Sequence, residues 1–255
     1  MNEEKEYLYF ADKILNGVSE RWGKKWNYEP LEVRIYLATP LVLNHPWVHL
    51  DGVLSHLALR KALGQDYYLL PAKYPISKIT KGLELPNFPI RYAGAIPQAS
   101  ISFFENVKPR TEVVYKKLED RWLGIVKKLY HGSGYFKDYA MKHIYIPTPL
   151  VKFYVVGDKE GLLEILSELV SLGDNSRLGW GYISRIEITP INEDKSIIHE
   201  GKAMRPIPVR FCKSWADSFL LAWRPPYWST DMVEECVPPG SEVELLPETI
   251  EKMRL

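Results

Sequence analysis

The sequence predicts an α+β fold: a ferredoxin-like (RRM-like) βαββαβ sandwich with a long basic insertion and an aromatic, proline-rich C-terminal extension. Three observations predict it. Two strand–helix–strand runs stand at either end of residues 31–190. The stretch between them loses hydrophobic periodicity and gains positive charge. After them, tryptophan, tyrosine and proline crowd together. The order β-α-β … β-α-β suits a split βαβ sandwich, with two helices on one face of an antiparallel sheet. The reading gives an N-terminal extension over 1–30, a core domain over 31–190 with its insertion at about 105–149, and an extension over 191–255 that packs on the core.

The first strand is "LEVRIYLATPLVL", Leu31–Leu43, rich in β-branched and aromatic residues and closed by Pro40. A helix follows in "VHLDGVLSHLALRKALG", where Leu50, Val53, Leu54, Leu57, Ala58 and Ala62 fall near helical spacing and Gly64 stands at the C-terminal cap. "FPIRYAGAIPQASISFF" reads as two short strands around Gly94 and Pro97. "PLVKFYVVGD" is the next strand, and Asp158 is placed to cap a helix through "KEGLLEILSELVSLG". Its predicted apolar face is Leu162, Leu163, Ile165, Leu166, Leu169 and Val170. "GYISRIEITPI" closes the pattern, with Ile183, Ile186 and Ile188 on the inward side. No G-x-G-x-x-G opens a helix after a strand; the glycines here follow a helix and precede a strand, so neither half is a Rossmann unit.

Composition narrows the function. The sequence is 46% hydrophobic and 25% charged, ordinary for a globular protein. Its two cysteines, Cys212 and Cys236, have neither disulfide-framework nor zinc-site spacing, so a reduced intracellular protein is the default. "MNEEKEYLYFADKIL" has no apolar h-region, and no run approaches a membrane span, so a cytoplasmic location without membrane contact is expected. A formal net charge of +1 conceals an asymmetry: residues 105–152 carry ten Lys/Arg against five Asp/Glu, while 229–255 carry two against seven. A basic segment within a neutral protein suits a polyanion, or is a solvated loop; the acidic tail is expected to be solvated.

The loop "SLGDNSRLGWGYISRIEI" holds the strongest chemical signal. Gly179 and Gly181 let a backbone approach a phosphate chain closely, Arg177 can grip phosphate, and Trp180 or Tyr182 can stack on a base. The competing reading is a tight turn with Trp180 in the core. "HGSGYFKDY" supplies His131, Tyr135 and Lys137 within seven positions, the residue types of a metal-independent RNase acid–base set, and equally a phosphate-binding set. "HPWVH" puts His45 and His49 at i, i+4, but Pro46 argues against a helix and no third ligand follows, so no metal and no cofactor is expected. No nucleophile elbow, P-loop or paired carboxylates stand out.

Taken together, "SRLGWGYISRIEI", "LATPLVLNHPWVHLDGVLSHLAL", "GSGYFKDY", "VKFYVVGD", "RPIPV" and "RPPYW" resemble the repeat-associated RNA-binding (RAMP) proteins of CRISPR antiviral defence. Several of these pieces look like one branch, the Cas-five-type subunit of type IV effector complexes. The resemblance spans roughly 31–239, and departs from the usual loop in placing Trp180 between the glycines. It implies a non-catalytic subunit of a ribonucleoprotein complex that binds crRNA and caps its 5′ handle. That subunit would sit beside the backbone and large subunits and meet target DNA only indirectly. It further implies that residues 105–152 form an arm over the guide, with Lys108, Arg110, Lys116, Lys117 and Arg121 on phosphates. Asn175, Ser176 and Ser133 join the RNA-binding set on the same basis. Two other readings stay open: an endoribonuclease using His131, Tyr135 and Lys137, and a small-molecule enzyme or interaction module, since fold does not fix function.

Overall fold

The computed structural model of the chain describes residues 25–69, 89–104, 108–116, 138–227 and 229–254. The fold is α+β, mostly antiparallel strands with few helices. Strand β1, Glu29–Leu37, ends three residues before Pro40, and the chain resumes as β2, Leu41–Val42. The closure expected at Pro40 forms, since proline lacks the N–H a ladder needs and the chain turns there, and the residues beyond it make a separate short strand. Helix α1, Leu50–Leu63, buries Leu50, Leu54, Leu57 and Ala58, and stops at Gly64 with φ +57°, a conformation glycine adopts freely. Three short strands follow, β3 (Tyr92–Ala93), β4 (Ile96–Pro97) and β5 (Phe103–Phe104). The first two pair with each other and the third joins the main sheet.

The region expected to be irregular contains a hairpin, β6 (Arg110–Lys116) and β7 (Tyr139–Ile146). It escapes sequence detection because Val113, Tyr115, Met141 and Ile144 are all exposed, so neither strand alternates apolar with polar. Strand β8, Leu150–Gly157, leads to α2, Lys159–Leu166, whose expected cap forms: Asp158 Oδ1 accepts from the Gly161 N–H at 2.8 Å. This helix is shorter than expected. Leu162, Ile165 and Leu166 are buried; Leu163 is exposed on the helix's outer side with Glu160 and Glu164, and Val170 is exposed because the chain leaves the helix after Leu166. Val170 instead offers its carbonyl to the Ile183 N–H. Strand β9, Ile183–Pro190, carries a register shift opposite Tyr36/Leu37, which brings Ile183 inward with Ile186 and Ile188 despite odd spacing.

The main sheet has the order β5-β8-β1-β9, antiparallel throughout. Leu31, Val33, Ile35 and Leu37 of β1 and Val151, Phe153 and Val155 of β8 face α1 and α2, forming one core. Removing one such leucine costs about 2–5 kcal/mol, for lost transfer energy and the cavity left behind. The opposite face carries Glu32, Arg34 and Tyr36, partly exposed.

Residues 191–254, expected to pack on the first core, contribute most of a second core of their own. Its strands are β10 (Ile198–His199), β11 (Lys202–Ala203), β12 (Ile207–Pro208), β13 (Cys212–Trp215), β14 (Phe219–Ala222), β15 (Val233–Val237) and β16 (Val243–Leu245), before helix α3 (Pro247–Met253). Trp223, Cys236, Val237 and Leu245 are buried there with Ala93 and Ile96. The acidic tail is therefore not a solvated appendage: its carboxylates alternate with apolar residues that close this core, as in Val243, Glu244 and Leu245.

The two cores meet at a buried charge pair. The Arg205 guanidinium donates to the carbonyls of Pro97 and Ala99, both at 2.7 Å, and of Trp223 at 2.6 Å. It also reaches Asp51 Oδ2 at 3.2 Å and the Tyr227 hydroxyl at 3.0 Å. Tyr227 donates to Asp51, its ring stacks on His49 at 3.7 Å, and a Cβ at Gly52 would lie 3.1 Å from that ring. The aromatic extension thus braces the start of α1 rather than the sheet face. Three stretches with no evident chemistry, "HLDG", "RPIPV" and "RPPY", converge on this network. Among the described residues no helix is long and apolar enough to cross a membrane.

Candidate nucleic-acid interface

The glycine-rich loop is held from three sides. Asp174 donates its N–H to the Val42 carbonyl, and its carboxylate accepts from the Asn44 N–H, both at 2.8 Å. Thr39 Oγ1 donates to the Gly179 carbonyl at 2.7 Å and accepts from the Tyr182 N–H at 2.8 Å. The Gly181 N–H donates to the Pro40 carbonyl at 2.8 Å. Strand β2 therefore carries the loop on one side while its ladder pairs with β7 on the other, Leu41 opposite Ile146 and Val42 opposite Tyr145.

This hub brings the loop to the foot of the β6–β7 arm. The Asn175 amide nitrogen lies 3.1 Å from His143 Nδ1, and Asn175 itself is left-handed at φ +58°. Trp180 is half-buried, its ring 5.4 Å from Tyr145 and tilted by 36°. It faces neither the apolar core nor open solvent; it is wedged against the arm.

The glycines require a correction. Gly181 has φ +64°, and a Cβ there would fall 1.9 Å from the Leu172 carbonyl oxygen. What comes close to Gly181 is the chain itself, across the Ser171–Tyr182 bridge. The amides of Leu178, Gly179, Gly181 and Tyr182 all donate within the chain, so they make no cradle for phosphate. Gly179 differs: at φ +86° nothing lies within 4 Å of its Cβ position.

The loop offers side chains instead. Ser176, Arg177 and Tyr182 are exposed beside Gly179. Lys108 and Arg110 are exposed on the arm, as is Lys142, a cation that sequence reasoning did not single out. Among the described residues Lys108, Arg110, Lys142 and Arg177 make no ion pair. The arginines of the sheet's open face are already engaged: Arg34 pairs with Glu32, and Arg185 pairs with Glu187 at 3.0 Å while lying 3.9 Å over the Tyr36 ring. Cations without a partner are the ones that gain most from phosphate. Lys116 is part-buried at the arm's far end, 5.9 Å from the Tyr139 ring. Lys117, Arg121, His131, Ser133, Tyr135 and Lys137 lie outside the described residues. Thr39, His143 and Tyr145 also escaped sequence reasoning, since their partners stand far away in the chain; a threonine before Pro40 was the only local hint.

No curated protein matches this chain. Among solved structures, a chain described as "Cryo-EM structure of the Type III-B Cmr-beta bound to cognate target RNA" aligns at 14% identity and TM-score 0.37. The alignment covers 74% of this chain and 68% of that one, and is too slight to carry an argument. Residues 121–238 match the family model described as CRISPR type IV associated protein Csf3. That span runs from the arm through the glycine-rich loop into the second core, so the chain is similar over those residues to the type IV CRISPR-associated family its motifs resemble.

Proposed function

We propose that this chain is a non-catalytic crRNA-binding subunit of a type IV CRISPR ribonucleoprotein, capping the guide's 5′ handle and contacting the backbone and large subunits. The observation that carries it is the docking of the glycine-rich loop onto β2 and the foot of the arm. This sets exposed Arg177 and Tyr182 against the strand pair that carries Lys108, Arg110 and Lys142, four cations that make no ion pair among the described residues. The family match over 121–238 supports the same reading. The sheet order β5-β8-β1-β9, with α1 lying between β1 and β5 in the chain and α2 between β8 and β9, supports reading the fold as a ferredoxin-like sandwich. In this reading phosphates are gripped by side chains, with Tyr182 available for stacking, and the glycines shape the loop rather than touch RNA.

The test is a binding assay with labelled CRISPR repeat RNA in EDTA, resolved on native and denaturing gels. A shifted, intact band is expected. Arg177→Ala should weaken it about tenfold and lower the salt slope by about 0.7, the share of one single-strand phosphate contact. Unchanged affinity would remove Arg177 from the interface. A shorter product on the denaturing gel would replace this reading with the endoribonuclease one, and His131→Ala would then be the next variant.

A further inference from the structure

The second core presents a face whose chemistry is opposite to that of the arm. From Lys213 to Leu220 nearly every residue is exposed. Trp215 is 42% exposed, Phe219 59% and Leu220 76%, and the last two stand on β14, which is the edge of the sheet β12-β15-β14. A large, exposed apolar edge is uncommon on a monomer and marks an interaction site. Beside it an open cleft of about 450 Å³ is lined by Trp215, Val243, Glu200, Glu242 and Glu244. Lys213 reaches Glu244 at 2.7 Å and exposed Lys202 stands across a β-bridge from Glu242, so the carboxylates still outnumber the cations on this face. Asp217 and Glu235 add further carboxylates, each accepting from a neighbouring serine rather than a cation.

Such a surface repels a nucleic acid and fits a basic, apolar protein segment. Its cations would enter the cleft over Trp215 between the carboxylates, and its apolar side chains would cover Phe219 and Leu220. We propose that this face, Trp215 to Leu220 with Glu200, Glu235 and Glu242, docks a basic, apolar segment of another protein subunit of the complex. The inference rests on the ribonucleoprotein reading above, and it assigns the two charge poles different work: the arm takes RNA, the acidic–aromatic face takes protein.

The test co-expresses the full chain with the backbone and large subunits of a type IV complex and with a CRISPR repeat–spacer RNA. Retained subunits and RNA are then measured after affinity purification for the wild type and for Leu220→Lys/Glu242→Lys, both exposed positions. The expected result is at least a tenfold loss of protein subunits from the variant, with RNA binding by the purified variant alone unchanged. Carbodiimide should also couple wild-type Glu200, Glu235 or Glu242 to lysines of one partner subunit. A variant that keeps its protein partners overturns the inference and leaves the reading intact. So does a variant that loses RNA on its own, which would make the face an RNA surface. A wild type that retains neither RNA nor protein overturns the reading, and the inference with it.

Discussion

A methyl group added at residue 181 would sit 1.9 Å from the Leu172 carbonyl, on a backbone already at φ +64°. One added at residue 179 would meet nothing, at φ +86°. Two glycines of one motif thus differ in what they do. Gly181→Ala has to open the Ser171–Tyr182 bridge and release the loop from Pro40, at a cost on the order of 3 kcal/mol or more. Gly179→Ala bears only the left-handed conformation, about 1–2 kcal/mol. Urea denaturation of both variants checks this, and a Gly181→Ala protein as stable as Gly179→Ala would show that the loop is not clamped there. The need for glycine was legible at both positions from local sequence. The partner was not, because Leu172 and Pro40 reach Gly181 through tertiary contacts that no spacing rule encodes.

Among elements, the arm was the least legible and helices α1 and α2 the most. Helix α1 announced itself through Leu50, Leu54 and Leu57 on one stripe and Gly64 at its end, all set by local geometry. The β6–β7 hairpin has no buried face along most of its length, so its strands carry no alternation for the sequence to display. What fixes the arm is its foot, where β7 pairs with β2 and His143 is buried against Asn175. His143→Ala removes that polar link while leaving the ladder. The expected outcome is faster hydrogen exchange of the β6–β7 amides and an RNA affinity lowered several-fold, with the main-sheet amides unchanged. If arm exchange stays as slow as in the wild type, the ladder and the Trp180–Tyr145 contact hold the arm without His143.

At the scale of the whole molecule, two apolar cores are joined by Arg205, Asp51, Tyr227 and His49, and their sites in sequence were visible only as unexplained motifs. A buried pair of this kind is costly to break from one side, about 3–5 kcal/mol, because the remaining charge stays desolvated. His49 makes the junction sensitive to acid. Burial, with Arg205 and then His45 nearby, pushes its imidazole down to about 2 from an ordinary 6.5, and Nε2 accepts from Trp47 Nε1 at 2.9 Å. Below pH 6.5 the unfolded chain takes up a proton that the folded chain refuses, so stability present above that pH is lost as pH falls. The loss is about 1.4 kcal/mol per pH unit, or about 2 kcal/mol between pH 6.5 and 5, before most carboxylates titrate. His49→Gln keeps an acceptor for Trp47 but cannot be protonated, so it should lose about 2 kcal/mol less over that interval. Denaturant titrations at pH 7 and pH 5 on both proteins measure the difference. An equal loss in the two would mean that the proton on His49 does not disturb the junction, and that Arg205, Asp51 and Tyr227 hold the two cores without it.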